Sequence, residues 1–401
     1  MSIPDLRFDL NETERAVRET AHQFAAEVLR PAGEALDKLS AEEMIAEGSI
    51  LYDVHDKYHA LGLGGAAEDL TPLEAARISG ILSEELGWGD AGLAISCSVG
   101  SMAATLAQAS GNADLIARFP ATRLGCWAVT EPNHGTDIVD MDTRIKASGA
   151  NYSRPDCIAK PEGNGFRING QKSAWVSNGT IAKQAALYCA CDRDGDVSGG
   201  GVFLVDLTTR GVSRGKPLDK IGQRALNQGE IFFDDVFIPA DHMVVPPEIY
   251  AEGGNATLTG ANTGMGVLFA GLAKAAFDEA LEYAKTRIQG GVPIIQHQSV
   301  KARIFTMYRK VEAARALAWS THLANAVGPT PDLTAAIAAK VTSTQTAFEV
   351  ASEALQIFGG NGISREYPVE KMLRDARISM IEDGCNETLG LIAAGRLAQV
   401  A

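Results

Sequence analysis

Ala128-Val129-Thr130-Glu131-Pro132-Asn133-His134-Gly135-Thr136-Asp137 stands where the texture of the chain changes. Upstream of it, apolar residues recur at helical spacing. Asn11 with Glu14 three positions on is a capping-box pattern; Ala16, Phe24, Val28 and Leu29 fit one helical face, and Pro31 is expected to end that helix. Thr71-Pro72-Leu73-Glu74 opens another, with proline at its first position, leading into Ile78, Ile81, Leu82 and Leu86. Gly87, Gly89 and Gly92 read as breaks before a buried small-residue helix that reaches Ala107, and the helical region ends near Gly125. Downstream, short β-type runs such as Phe166-Arg167-Ile168-Asn169-Gly170, Val202-Phe203-Leu204-Val205 and Ile231-Phe232-Phe233 alternate with turn residues as far as Val245. Pro239, Pro246, Pro247, Gly253 and Gly254 mark the exit. Residues 264–287, 297–326 and 333–358 then each read as a long alanine-rich helix. Helices, strands and helices in separate blocks argue against βαβ winding. We expect three domains: residues 1–125, 126–245 and 246–401.

Composition narrows the function. The 36 basic and 50 acidic residues leave a net charge of −14, so broad binding of nucleic acid is not expected, although a local basic pocket is compatible with it. A content of 46% hydrophobic and 21% charged residues is that of a globular protein, and no apolar run reads as long enough to span a membrane. Cys97, Cys126, Cys157, Cys189, Cys191 and Cys385 lack CxxC spacing, which points to reduced thiols. Met1-Ser2-Ile3-Pro4-Asp5 has the look of neither a secretory signal nor a transit peptide, so a cytoplasmic protein is expected.

Several motifs resemble chemistry out of context. His55-Asp56-Lys57-Tyr58-His59 has the two-histidine spacing of a zinc helix, but no third ligand is evident and a solvated helix face is the simpler reading. Gly211-Val212-Ser213-Arg214-Gly215 fits a nucleophile elbow, which needs a helix after it; Lys216-Pro217-Leu218-Asp219 reads as loop, leaving Ser213 an ordinary residue. Gly62-Leu63-Gly64-Gly65-Ala66-Ala67 follows a helical run rather than a strand, so a cap and turn explain it better than a dinucleotide fingerprint. Gly359-Gly360-Asn361-Gly362 is either a helix C-cap or a backbone cradle for phosphate.

One ordered set is more specific. After the opening segment come Asn169-Gly170-Gln171-Lys172-Ser173-Ala174-Trp175-Val176-Ser177-Asn178-Gly179, then Arg287 with Gly290 and Gly291, and His297-Gln298. Gln356-Ile357-Phe358-Gly359-Gly360-Asn361-Gly362, Glu366-Tyr367-Pro368-Val369-Glu370 and Arg374-Asp375-Ala376-Arg377 complete it. With this set the chain resembles the acyl-CoA dehydrogenase family from about residue 8 to residue 397.

The resemblance implies an α+β multidomain fold: an N-terminal α-helical domain, a middle β-barrel and a C-terminal four-helix bundle that builds a homotetramer, with one FAD per subunit. It implies that Val129 and Thr130 bond the polar edge of the isoalloxazine, that Trp175 packs on the ring and that Ser177 approaches N5. Thr136 would lie between the pyrophosphate and the thioester ligand. Arg287, Gln298, Gln356 and Gly360 match positions that hold the ADP half of a neighbouring subunit's cofactor. The implied reaction is α,β-dehydrogenation of an acyl-CoA, with base and flavin on opposite faces of the substrate and electron-transfer flavoprotein as acceptor.

The base is where this sequence departs from the family. The usual glutamate before a glycine aligns with Asp383 in Ile381-Glu382-Asp383-Gly384-Cys385-Asn386-Glu387, and aspartate is shorter by about 1.5 Å. Glu382 would project elsewhere. The alternative base position on the first C-terminal helix falls in Gly260-Ala261-Asn262-Thr263, which holds no carboxylate and has Asn262 in place of a common arginine. Asp90 matches a loop lining the acyl pocket and is the other candidate base, as in a branch acting on alicyclic acyl groups; it is equally a good turn residue. Cys385 and Glu387 stand where threonine and glutamine are common near the adenosine, and the stretch from Asn151 to Asp156 reads as a surface loop or a cover for the site. The rival readings are a relative of nitroalkane oxidases, which carry aspartate at the glutamate position, and a flavin-binding scaffold without turnover.

Overall fold

A computed structural model describes residues 10–62, 70–141 and 155–399. The N-terminal helices are α1 (Glu12–Phe24), α2 (Arg30–Leu36), α3 (Ala41–Met44), α4 (Ile50–Ala60), α5 (Pro72–Gly89), α6 (Ala91–Gly100), α7 (Met102–Ser110) and α8 (Ala113–Arg118). The capping boxes at Asn11/Glu14 and Thr71/Glu74 form as the sequence suggests. Pro31 does not end the first helical run. A π-helical turn, Ala25–Leu29, widens the helix ahead of it, and proline then sits in the first turn of α2, where its missing N–H does no harm. Gly89 packs on that turn, since a Cβ there would come within 3.0 Å of the Ala25 carbonyl oxygen.

The strands are β1 (Gly125–Ala128), β2 (Ile158–Glu162), β3 (Gly165–Lys172), β4 (Gln184–Cys191), β5 (Gly200–Asp206), β6 (Val212–Arg214), β7 (Ile231–Pro239) and β8 (Met243–Val245). They form an eight-stranded mixed sheet in the order β6-β7-β3-β2-β4-β5-β8, with β1 parallel to β4. Alternate residues of six strands, among them Ala128, Ala159, Ile168, Leu187, Phe203 and Val236, converge on one core. The other face of β4, with Ala186 and Tyr188, packs against Met102 and Leu106 of α7. Burial on both faces is why this strand reads as a continuous apolar run. Ala91–Ser110, spanning α6 and α7, is by length and composition apolar enough to cross a membrane, contrary to our reading; most of it is buried, as befits core helices.

The C-terminal block holds α9 (Tyr250–Thr286), the hairpin β9 (Ile288–Gln289) and β10 (Val292–Pro293), α10 (Gln298–Val327), α11 (Leu333–Phe358), α12 (Val369–Ser379) and α13 (Asn386–Leu397). α9 begins earlier than expected. Gly253 and Gly254 lie inside it, and a Cβ on Gly254 would come within 2.6 Å of Met141 Cε, so this glycine serves a close contact rather than a break. Gly87 is likewise helical. It seats α5 on α9 where a Cβ would lie 2.0 Å from the Leu268 carbonyl oxygen, and Gly271 answers it 2.1 Å from that of Glu84. Away from this tight crossing, a cavity opens between the two helices.

Candidate active site

The cavity measures about 810 Å³ and is walled mainly by one face each of α5, α6 and α9, with Tyr58, Met102, Trp127, His322 and Asp383 also in its lining. Most of its lining is aliphatic or small. Among the described residues that line it, Asp383 is the single carboxylate.

Asp383 lies in the turn between α12 and α13 and adopts a left-handed conformation, φ 51°, followed by Gly384 at φ 92°. The turn is held from below. Lys340, fully buried on α11, donates to the Gly384 carbonyl oxygen at 2.8 Å and to Asn386 Oδ1 at 2.9 Å. Asn262 on α9 donates to the carbonyl oxygens of Leu258 at 3.0 Å and Asp383 at 3.4 Å. Burial pushes the Asp383 carboxyl above the ordinary range, and the Lys340 ammonium works against that rise. Burial in turn pulls Lys340 down to about 8, with Asp383 the strongest of the neighbouring charges opposing it. Glu382 does not line the cavity; it accepts from Gln223 Nε2 at 2.6 Å and is raised to about 7 by burial and by the adjacent Asp383.

Asp90, the other candidate base, is engaged outside the cavity lining. It caps α6 by accepting from Leu93 N at 2.9 Å, and its other oxygen accepts from Lys371 Nζ at 2.5 Å. Its side chain packs so closely on α2 that a Cβ on Gly33 would come within 1.9 Å of Oδ2. Lys371 also bonds Asp375 at 2.6 Å, so Asp90 completes a buried ion network apart from the cavity lining.

The segment after β1 is pinned to the end of β3. Buried Lys172 donates to the Val129 carbonyl oxygen at 2.9 Å and to Glu131 Oε1 at 2.6 Å. Thr130 Oγ1 and Ser173 Oγ share a hydrogen bond of 2.8 Å, and Ser173 N donates to the Thr130 carbonyl oxygen at 2.9 Å. The next turn carries Trp175 and Ser177. Gln228 Nε2 reaches the Trp175 carbonyl oxygen at 3.2 Å and Ser177 Oγ at 3.4 Å, while its own oxygen accepts from Lys220 Nζ at 2.8 Å. The Trp175 side chain is left 60% exposed on this tied backbone. A bare indole on a rigid turn, flanked by hydroxyls, suits stacking of a flat heteroaromatic ring such as isoalloxazine. Thr136 Oγ1 accepts from Cys385 N at 3.4 Å, which joins this segment to the Asp383 turn.

A second cavity of about 650 Å³ lies at the far end of α11 and gathers Arg287, Gln356 and Gly360. Gln298 starts α10 between His297 and Ser299, which line that cavity, but is itself not part of the lining. Gly359, at φ 60°, is the C-cap of α11. The cap does not account for Gly360, where an added Cβ would meet nothing within 4 Å. Cys385 and Glu387 are absent from this cavity's lining; Cys385 sits beside Thr136, and Glu387 is exposed at the start of α13.

His55 is buried rather than on a solvated face. Ser96 Oγ donates to Asn178 Oδ1 at 2.7 Å, so His55 Nε2 must donate to Ser96 Oγ across 3.0 Å, which ties α4 through α6 to the sheet. Ser213 lies in β6 with no helix following. Residues 63–67 of the glycine stretch and residues 151–154 of the inserted stretch lie outside the described residues. Sequence reasoning missed Lys340, Gln223 and Lys220. Only Lys340 left a signal, as a lysine on the apolar stripe of Ala336, Ile337, Ala347 and Val350.

The model of the acyl-CoA dehydrogenase middle domain matches residues 126–236, and that of the C-terminal domain matches residues 255–398. A short-chain specific acyl-CoA dehydrogenase of Megasphaera elsdenii is 31% identical over 97% of this chain and 99% of its own length. A benzylmalonyl-CoA dehydrogenase of Aromatoleum aromaticum is 30% identical over 96% and 98%. The solved butyryl-CoA dehydrogenase of Megasphaera elsdenii superimposes with a TM-score of 0.84 at 28% identity, covering 98% of this chain and all of that one.

Proposed function

The chain belongs to the acyl-CoA dehydrogenase family, and from that premise we propose that it oxidises the Cα–Cβ bond of an acyl-CoA with Asp383 as the base. The observation that carries this assignment is Asp383 as the single carboxylate, among the described residues, in the lining of a largely apolar cavity. A carboxyl raised by burial is a stronger base once ionised, and removal of a thioester α-proton needs that. FAD, when bound, would supply the acceptor for the β-hydrogen as a hydride. The chain's own part is positional. Thr130, Trp175 and Ser177 fix the ring plane, Thr136 stands between that segment and the Asp383 turn, and the apolar walls exclude water from the proton transfer.

Arg287, Gln298, Gln356 and Gly360 hold the ADP half of a neighbouring subunit's cofactor in this reading, which requires an oligomer, a homotetramer as in the family resemblance. Electron-transfer flavoprotein takes the electrons. The six free cysteines accord with a reducing compartment and a cytoplasmic protein. The test is anaerobic mixing of the FAD-loaded enzyme with acyl-CoAs and with nitroalkanes. Bleaching by acyl-CoAs is expected. Bleaching by nitroalkanes alone would replace this reading with an oxidase, and ligand binding without bleaching would leave a scaffold.

A further inference from the structure

The cavity beside Asp383 has small side chains interspersed with larger aliphatic ones, such as Leu82 and Leu268, where two helices face each other. α5 contributes Ala75, Ser79 and Ser83, and α9 contributes Gly260, Ala261 and Gly264. A Cβ built on Gly260 or on Gly264 meets nothing within 4 Å, in contrast to Gly87 and Gly271, which seat the crossing. An added Cβ at either glycine would enter open space, although the Gly264 carbonyl oxygen accepts from Ser83 Oγ at 3.4 Å. Each costs α9 about 0.5–1 kcal/mol relative to alanine, and what the helix obtains for that cost is width.

The magnitude indicates how much width. An apolar cavity of about 150 Å³ is enough to take up benzene. The space here is about 810 Å³, so a ring system fits even after the thioester's pantetheine arm and the edge of the flavin opposite Asp383 take a large share. A straight four-carbon acyl chain would leave the walls without contact atoms on one side and forfeit their dispersion energy. Resting on the dehydrogenase reading above, we infer that this enzyme's acyl substrates are ring-bearing, alicyclic or aryl-substituted, and that Gly264, with Gly260, sets that preference.

The experiment compares kcat/KM of the FAD-loaded enzyme for butyryl-CoA, hexanoyl-CoA, cyclohexanecarboxyl-CoA and 3-phenylpropanoyl-CoA, in the wild type and in Gly264→Leu and Gly260→Val. The ring-bearing thioesters are expected to exceed butyryl-CoA at least tenfold, and each variant to lower that ratio at least tenfold. FAD content and melting temperature report that the variants fold. Butyryl-CoA as the better wild-type substrate, or variants that leave the ratio unchanged, would overturn the inference while leaving the dehydrogenase in place. If none of the four thioesters bleaches the flavin, the dehydrogenase reading itself fails.

Discussion

Replacing Lys340 by methionine removes a buried cation from beneath the Asp383 turn while keeping much of its volume. The Gly384 carbonyl oxygen loses its lysine donor, and Asn386 Oδ1 is left with only the longer contact from Thr344 Oγ1 at 3.5 Å. An unpaired buried acceptor costs about 1–3 kcal/mol. The loss is offset by relief of the desolvation that brings Lys340 down to about 8, so we expect a net destabilisation of about 1–3 kcal/mol. The effect on chemistry is larger and has a definite sign. Lys340 is the charge that opposes the burial-driven rise of Asp383. Without it Asp383 titrates higher, and on the proposed assignment only the ionised form abstracts the proton. The acid limb of the rate of anaerobic flavin bleaching should therefore move to the alkaline side. In the wild type a second inflection near pH 8 is expected as Lys340 itself loses its proton; it should vanish in the variant. Asn386→Ala drops one contact but keeps the charge, and should leave the limb in place. A Lys340→Met enzyme that melts earlier with an unmoved acid limb would refute the electrostatic part of this reasoning and reduce Lys340 to a prop.

The other expectations are simpler. Asp383→Asn should keep its FAD and lower the bleaching rate by about a hundredfold to ten-thousandfold, whereas full turnover would remove the base assignment. Asp90→Asn breaks the buried pair with Lys371 and should cost about 3–5 kcal/mol in denaturant unfolding without shifting the acid limb, the reverse of a catalytic base. Trp175→Ala should weaken FAD binding about fivefold in fluorescence titration, as expected for a lost stacking contact of about 1 kcal/mol. Burial lowers His55 from 6.5 to about 4, so its contribution to stability is intact above pH 6.5 and is lost as pH falls toward 4; melting curves at pH 7 and pH 5 should separate less in His55→Gln than in the wild type.

What the sequence shows and what it hides divide along a physical line. Signals carried by residues three or four apart were readable. The capping boxes at Asn11 and Thr71, the strand texture from Phe166 to Phe233 and the apolar faces of the long helices are of that kind. Pro31 was misleading because its effect depends on the width of the turn before it, which Gly89 accommodates from another helix. Gly253 and Gly254 were misleading because a glycine that breaks a helix and one that admits a neighbour look alike until the neighbour, Met141, is in place. Buried charges are the most hidden. Asp90 meets Lys371 and Glu84 meets Arg315 across more than two hundred residues, and no local pattern announces a partner so distant. That is why Asp90 looked like a turn residue or a base, when it is a cap locked in an ion network.

The same distinction bears on the short carboxylate at 383. By side-chain length alone, aspartate falls about 1.5 Å short of glutamate, and a misplacement of about 1 Å can cost roughly a hundredfold in rate. The turn around it is not a neutral platform. Asp383 sits at φ 51°, a region that aspartate and asparagine enter at less cost than other side chains, and Gly384 follows at φ 92°. Lys340 and Asn262 grip the carbonyls of residues 384 and 383, so the carboxylate is positioned by backbone rather than by a long flexible arm. α9 carries both halves of the geometry. Asn262 on one of its faces holds the turn, while Gly260 and Gly264 on the neighbouring face line the cavity without a Cβ. A substrate lying on bare helix backbone comes closer to that helix by about the length of one carbon–carbon bond, and so closer to the turn the helix holds. On the proposed assignment, the reach missing from the base is returned by the wall, and the glycines that widen the acyl cavity are the same feature that lets an aspartate serve.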